Sequence, residues 1–288
     1  MNQSKQQFEV LQRASLFLQQ NNCEPKIAEI LLRHYLQMEQ AQFFANMQAI
    51  VEPKVLKKFC QSVKQHVQTG VPVQHILGYE YFYNRKYFVN EHVLIPRPET
   101  EEVVKLAIEK IKQLPKGRQL SIVDLGTGSG IIAITLALEF PEATIYATDI
   151  SEKALEIAQK NADQHNVEIH FMLGDFAAPL IEKQLQVQFI VSNPPYIDDT
   201  TKQTLARTVK DYDPEIALFA KNSGLAAYEK IIKQAKSLLA PKGVLVFEIG
   251  YDQGQSVSRL MNQYYPMSQV KVHKDINGQD RVVVAKIN

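Results

Sequence analysis

The sequence predicts an α/β fold, a doubly wound and mostly parallel sheet preceded by a small all-helical region. Three observations carry this expectation. From residue 121 onward, short β-prone runs alternate with segments of helical period. Before residue 75 the apolar spacing is helical only. The last two β-prone runs lie too close together for a crossover helix, so an antiparallel hairpin should close the sheet.

Composition bounds what such a chain does. It has 288 residues, 45% hydrophobic and 22% charged, with a net charge of +1. No global field draws it to nucleic acid or to a membrane. Its two cysteines, Cys23 and Cys60, are widely spaced. That excludes a disulfide scaffold and a four-thiolate metal site, no metal is expected, and a reducing cytoplasm fits. The segment MNQSKQQFEV lacks the basic-then-apolar pattern of a leader, and no apolar run reaches the roughly 20 residues of a membrane span.

Residues 1–75 read as a helical domain. Phe8, Leu11, Ser15 and Leu18 should share one face of a first helix, and Pro25 should open a second through Ile27, Ile30, Leu31 and His34. Phe43, Phe44 and Met47 suggest a short third helix. Pro53 opens a fourth, with Val55, Leu56, Phe59, Val63 and Val67 as its stripe and Gly70 as its end. His34 and His66 have no partners at metal spacing and read as ordinary core or surface residues. Lys54, Lys57, Lys58 and Lys64 form a solvated face or a surface for an acidic or RNA-bearing partner. A small bundle without chemistry of its own suits recognition.

Residues 76–95 form a connector. Tyr79, Tyr81, Phe82 and Tyr83, then Tyr87, Phe88 and Val89, read as two aromatic strands turning at Asn84-Arg85. The segment Ile95-Pro96-Arg97-Pro98-Glu99-Thr100 should be extended, with Thr100 capping the next helix. Arg97 and Glu99 either stabilise this turn or line the mouth of a site.

Residues 96–288 carry the chemistry. Strands are expected at 121–126, 144–150, 169–173, 189–193 and 243–249, and helices near 129–139, 152–165 and 224–239. The closing hairpin, 268–274 with 281–287, should turn at Asn277-Gly278. Phe189-Ile190-Val191-Ser192 runs into Asn193-Pro194-Pro195-Tyr196. Proline has no N–H for a sheet ladder, so this strand stops at Asn193. Ligands of parallel sheets sit just beyond such strand ends. An Asn oxygen beside a fixed Pro194 carbonyl makes a pair of acceptors suited to an NH2 group, and Tyr196 offers a face for a planar, conjugated one.

The loop Asp124-Leu125-Gly126-Thr127-Gly128-Ser129-Gly130 lets backbone approach a ligand at a helix start. A dinucleotide loop wants its third glycine three places after the second; here Gly130 comes two after Gly128. A carboxylate at Asp124 repels a pyrophosphate but attracts a cation, and S-adenosylmethionine carries a sulfonium and an ammonium. Asp149, 23 residues after Gly126, can accept both ribose hydroxyls, cap the helix beginning at Ser151, or do both. Phe176 closes the third strand, where an aromatic packs beside adenine.

Together these residues resemble class I S-adenosylmethionine-dependent methyltransferases acting on conjugated NH2 groups. Over nearly the whole length the chain is similar to one branch, the release factor glutamine methyltransferases of the HemK/PrmC family. The segments that carry the likeness are Gly70 to Gly78, Val93 to Glu101, the glycine loop, Asn193 to Tyr196, and Phe247-Glu248-Ile249-Gly250 with Gln253-Gly254. The resemblance implies a seven-stranded Rossmann-like sheet behind a helical substrate-docking domain. It implies S-adenosylmethionine as cofactor, S-adenosylhomocysteine as product, and class 1 peptide chain release factors as protein partners. The acceptor would be N5 of the glutamine in their Gly-Gly-Gln loop. Cofactor contacts would be Gly126, Thr127, Gly128, Ser129, Gly130, Asp149, Phe176 and Asn193. Substrate contacts would be Asn193, Pro194, Pro195 and Tyr196, with Asn193, Pro194 and Tyr196 catalytic. Relatives often carry Trp where Phe176 stands, and the stretch Ala217 to Gly224 lacks their paired glycines.

Rival readings are an adenine-N6 nucleic-acid methyltransferase, a ribosomal-protein glutamine methyltransferase, and a nicotinamide-dependent dehydrogenase. The first needs a basic groove that net charge +1 does not advertise. The glycine spacing and Asp124 oppose the last. A monomer acting without nucleic acid or membrane is the expectation.

Overall fold

The computed structural model describes residues 5–115, 119–204 and 207–288. The first four residues of the segment read for a leader lie outside that range. Two compact units are formed, one from residues 1–78 with 207–212 and one from 79–206 with 213–288.

In the first unit, helices Gln7–Gln20, Lys26–Leu36, Gln40–Ala45 and Pro53–Thr69 surround Leu18, Leu31, Leu32, Phe43 and Phe59. The stripe of the first helix differs from expectation. Val10, Ala14 and Leu18 are buried, whereas Phe8 is 40% exposed. Gln7 decides the rotation: its side chain is buried and Nε2 donates to the Phe43 carbonyl at 2.7 Å. Gly70 ends the fourth helix with φ +79, as its position suggests. His66 is a core residue whose Nδ1 donates to the Val71 carbonyl at 2.7 Å. The lysines of this helix, Lys54, Lys57, Lys58 and Lys64, are exposed. Val73–Leu77 forms a fifth helix, too short to show in the apolar spacing; Pro72 precedes it and Gly78 ends it.

The second unit holds the sheet. Its strands are β1 (Ser121–Leu125), β2 (Thr144–Asp149), β3 (His170–Leu173), β4 (Val187–Ser192), β5 (Leu239–Glu248), β6 (Gln269–Lys274) and β7 (Asp280–Lys286). Their order is β6-β7-β5-β4-β1-β2-β3, parallel except for the contacts of β7 with β5 and β6. Both faces are covered. Ile122, Phe189 and Val191 join the core that includes Val104 and Ile132. Val123, Leu125, Ile190 and Phe247 point into the other, with Ile231 and Val257. This two-sided burial explains the apolar runs Phe189–Val191 in β4 and Val244–Phe247 in β5. Phe189, Ile190 and Val191 are wholly buried, each contributing about 1.5–3 kcal/mol relative to exposure.

The hairpin ahead of the sheet pairs Tyr79–Phe82 with Arg85–Phe88. It turns at Tyr83-Asn84, one residue earlier than expected, with φ of 52 and 58 at those positions. Positive φ at both turn residues matches the twist of a two-residue hairpin loop.

Candidate active site

β4 ends at Ser192, and Asn193 emerges at the carboxyl edge of the sheet. Ser192 Oγ donates to the Leu125 carbonyl at 2.5 Å, which fastens the Asn193 turn to the root of the glycine loop. The turn and the loop share one cleft of about 350 Å³. Asn193 and Pro195 line it from one side, and Gly126, Thr127, Gly128, Ser129, Asp149, Ile150 and Phe176 from the other. His92 and Arg97 contribute from the segment before helix Thr100–Lys112, Thr100 from its first residue, and Pro214, Ile216, Ala217 and Phe219 from a long excursion after β4.

The glycine loop is held from below by Asp124. Its Oδ2 accepts from Thr127 Oγ1 at 2.6 Å and from the Ala133 N–H at 3.3 Å. Asp124 is wholly buried, and burial pushes its carboxyl up to about 7. It organises the loop from within the core and is not part of the cleft wall. Gly130 has φ +83, and a Cβ there would stand 3.0 Å from Ile134 Cδ1 and 3.1 Å from Ala158 Cβ. Only glycine lets helix Ile131–Glu139 start this close to helix Glu152–His165.

Asp149 closes β2. Its Oδ2 accepts from the Gly128 N–H at 2.9 Å and its Oδ1 from the Ser151 N–H at 2.9 Å. Helix Glu152–His165 is capped by Ser151 itself, whose hydroxyl accepts from the Ala154 N–H at 3.2 Å. Each Asp149 oxygen keeps a lone pair, so the carboxylate is placed to accept further donors. Burial raises its pKa; the N–H groups of Ser151 and Gly128 oppose that rise. Phe176, with φ 51, sits over the loop, 3.6 Å from where a Gly126 Cβ would be. Beside it, Asp175 pairs with Lys230.

Around the Asn193 turn the structure gathers residues distant in sequence. Thr100 does not cap its helix by its side chain; its hydroxyl donates to Glu248 Oε2 at 2.7 Å. Asn193 Nδ2 lies 3.5 Å from Thr100 Oγ1. Glu248 ends β5, is 2% exposed, and burial pushes it up to about 7. Tyr228 OH donates to the Glu248 carbonyl at 2.9 Å. Pro194 is buried, and Tyr196 packs its ring onto the core beside Tyr228 and Phe247 rather than lining the cleft. Burial first, and the Glu248 carboxylate second, hold the Tyr196 phenol above its ordinary range. Arg97 resolves to both alternatives. It lines the cleft, and its Nη2 donates to the buried Asp213 Oδ2 at 2.6 Å.

Residues 105–211 match the family model of the Methyltransferase small domain, and residues 9–78 match that of the PrmC N-terminal domain. A release factor glutamine methyltransferase of Bacillus cereus is 39% identical over 280 residues, covering 97% of this chain and 99% of that protein. The chain belongs to the release factor glutamine methyltransferase family. Proteins of the same name from Bacillus subtilis and Staphylococcus aureus are 40% and 38% identical, each covering at least 96% of either chain. Among solved structures, the hMettl16 catalytic domain in complex with the MAT2A 3'UTR hairpin 1 superposes with TM-score 0.54 at 14% identity. It covers 88% of this chain and 87% of that one, and the likeness is one of fold.

In this member of the release factor glutamine methyltransferase family, two supporting residues, Asn161 and Tyr228, lie outside the segments that the sequence motifs single out. Asn161 is wholly buried; its Nδ2 donates to the Ser129 carbonyl at 2.8 Å and the Phe88 carbonyl at 3.0 Å, tying the glycine loop to the hairpin. Tyr228 donates to the Glu248 carbonyl, and Gln253, from a segment the sequence does single out, donates to the Tyr196 carbonyl at the end of the Asn193 turn. An asparagine in mid-helix is the one visible signal for Asn161, since Asn disfavours helix interiors.

Proposed function

We propose that this chain transfers a methyl group from S-adenosylmethionine to the side-chain amide nitrogen, N5, of the glutamine in the Gly-Gly-Gln loop of class 1 release factors. The observation that carries the reading is Asn193, held at the mouth of the cleft shared with the glycine loop, in a chain whose relatives bear that activity in their names.

The residues present fit the cofactor. Backbone from Gly126 to Ser129 lines the cleft without side-chain bulk at its two glycines, Asp149 offers lone pairs, and Phe176 offers an apolar face. In this reading Gly126, Thr127, Gly128, Ser129, Gly130, Asp149, Phe176 and Asn193 hold S-adenosylmethionine, which supplies an electrophilic methyl on a sulfonium. A glutamine amide nitrogen is a weak nucleophile because its lone pair is delocalised into the carbonyl. Asn193 Oδ1 and the Pro194 carbonyl accept its two N–H bonds, orient the nitrogen, and favour the positive charge that develops on it. Pro195 stiffens the turn. Tyr196 contributes through the packing of its ring behind the turn. Positioning then supplies much of the acceleration. No general base is assigned.

Mass spectrometry of purified release factors after incubation with this protein and S-adenosylmethionine tests the reading. A gain of one CH2 on the loop glutamine is expected. A gain elsewhere, or on a nucleic acid instead, overturns it.

A further inference from the structure

Asn193 rests against two side chains brought from other parts of the chain. Thr100 opens helix Thr100–Lys112 and Glu248 ends β5. They are 1% and 2% exposed. The Thr100 hydroxyl donates to Glu248 Oε2 at 2.7 Å. A hydroxyl has one proton, so Thr100 Oγ1 is left with lone pairs alone. Asn193 Nδ2 faces those lone pairs at 3.5 Å, a separation of the kind that tightens when substrate arrives. Glu248 fixes the direction of that hydroxyl by accepting its proton. Thr100, its proton committed to Glu248, therefore selects the NH2 end of the Asn193 carboxamide, and its oxygen is turned the other way.

We infer that Thr100 and Glu248 are positioning residues that lock the Asn193 carboxamide with its oxygen toward the substrate, so that the site takes an NH2 donor and rejects a carboxylate. A free asparagine presents oxygen or NH2 equally well, and its NH2 end would welcome a glutamate side chain. With the NH2 end engaged by the buried Thr100 hydroxyl, which Glu248 holds in place, the oxygen remains for the substrate. The same device accounts for a buried carboxylate at the end of β5 that contacts no substrate in the proposed reaction. Tyr228 anchors its backbone from beneath at 2.9 Å.

The inference rests on the proposed methylation of a glutamine amide. Thr100→Val keeps the side-chain shape and removes both roles of the hydroxyl, whereas Thr100→Ser restores them. We expect Thr100→Val to lower kcat about 10-fold or more, with KM for the release factor and Kd for S-adenosylhomocysteine changed less than about threefold. Thr100→Ser should return kcat to within about threefold of wild type. In an Asn193→Ala background, adding Thr100→Val should change single-turnover rate less than about twofold, because its effect travels through Asn193. An equal loss in both backgrounds, a loss confined to KM, or a fully active Thr100→Val overturns the inference. Should Thr100→Val fail to fold, Glu248→Gln takes its place in the same cycle, with the same outcomes deciding. A wild-type chain that leaves release factors unmethylated overturns the functional reading and this inference together. An active wild type with an equally active Thr100→Val overturns the inference alone.

Discussion

The side-chain amide of Gln253 donates to the carbonyl of Tyr196 at 2.9 Å, and Gly224 passes directly over that bond. Gln253 Oε1 in turn accepts from the Gly250 N–H at 3.0 Å. One residue thus splices the end of the Asn193 turn to the loop after β5.

A Cβ at residue 224 would stand 2.0 Å from the Tyr196 carbonyl oxygen, and φ there is +78. Gly224→Ala must push backbone away from backbone. A loss of stability above about 2 kcal/mol is expected, with activity falling alongside. Chemical denaturation and turnover measured together check it; an alanine variant as stable and active as wild type would show that the crossing is loose.

Asn193→Ala removes the acceptor offered to the substrate while leaving the glycine loop and Asp149 in place. Turnover should fall about 100- to 1,000-fold, with affinity for S-adenosylhomocysteine changed less than about threefold. Single-turnover methylation beside calorimetric titration separates the two.

Asp149 meets the opposite fate. Its carboxylate bonds the Gly128 N–H and faces the cleft. Asp149→Ala loses both the loop contact and the acceptor for ribose hydroxyls, so affinity for S-adenosylhomocysteine should drop about 10- to 100-fold. Equal binding by variant and wild type would remove Asp149 from the cofactor site.

Asp124 makes stability depend on pH in an unusual direction. Burial holds its folded pKa at about 7, against an ordinary 3.8. From about pH 4 to about pH 7 the folded state binds the extra proton, so unfolding free energy falls as pH rises. The contribution is whole below the unfolded pKa and lost above the folded one. Asp124→Asn abolishes this term while Asp149 and Glu248, shifted the same way, titrate in both proteins. Urea midpoints at about pH 5 and about pH 8 should therefore lie closer together in the variant. Identical pH slopes would contradict the burial of a titrating Asp124.

Much of the fold and of the cleft is legible in the amino-acid order. Pro194 cannot extend a ladder, so one missing N–H sets the end of β4, and the glycine spacing locates the cleft. β1 to β4 and the closing hairpin fall within two residues of expectation; Gly126, Gly174 and Asn193 directly follow β1, β3 and β4, and Asn277-Gly278 turns the hairpin. What is not legible depends on residues far apart. Thr100 reads as a helix cap because its partner, Glu248, lies 148 positions away. Arg97 has no assignment without Asp213, 116 positions on. The face of the first helix is misjudged from its pattern because Gln7, a polar residue, is buried to bond the Phe43 carbonyl, and periodicity counts only apolar residues.

The excursion after β4 closes on itself: Ile197 lies beside Phe219 and Asp198 beside Ala220 in a short parallel pair. Between these clasped ends lie Asp213, which holds Arg97, and Pro214, Ile216 and Ala217, which line the cleft. The clasp therefore ties one wall of the cleft to the strand end that carries Asn193, so that a change in either is felt by the other.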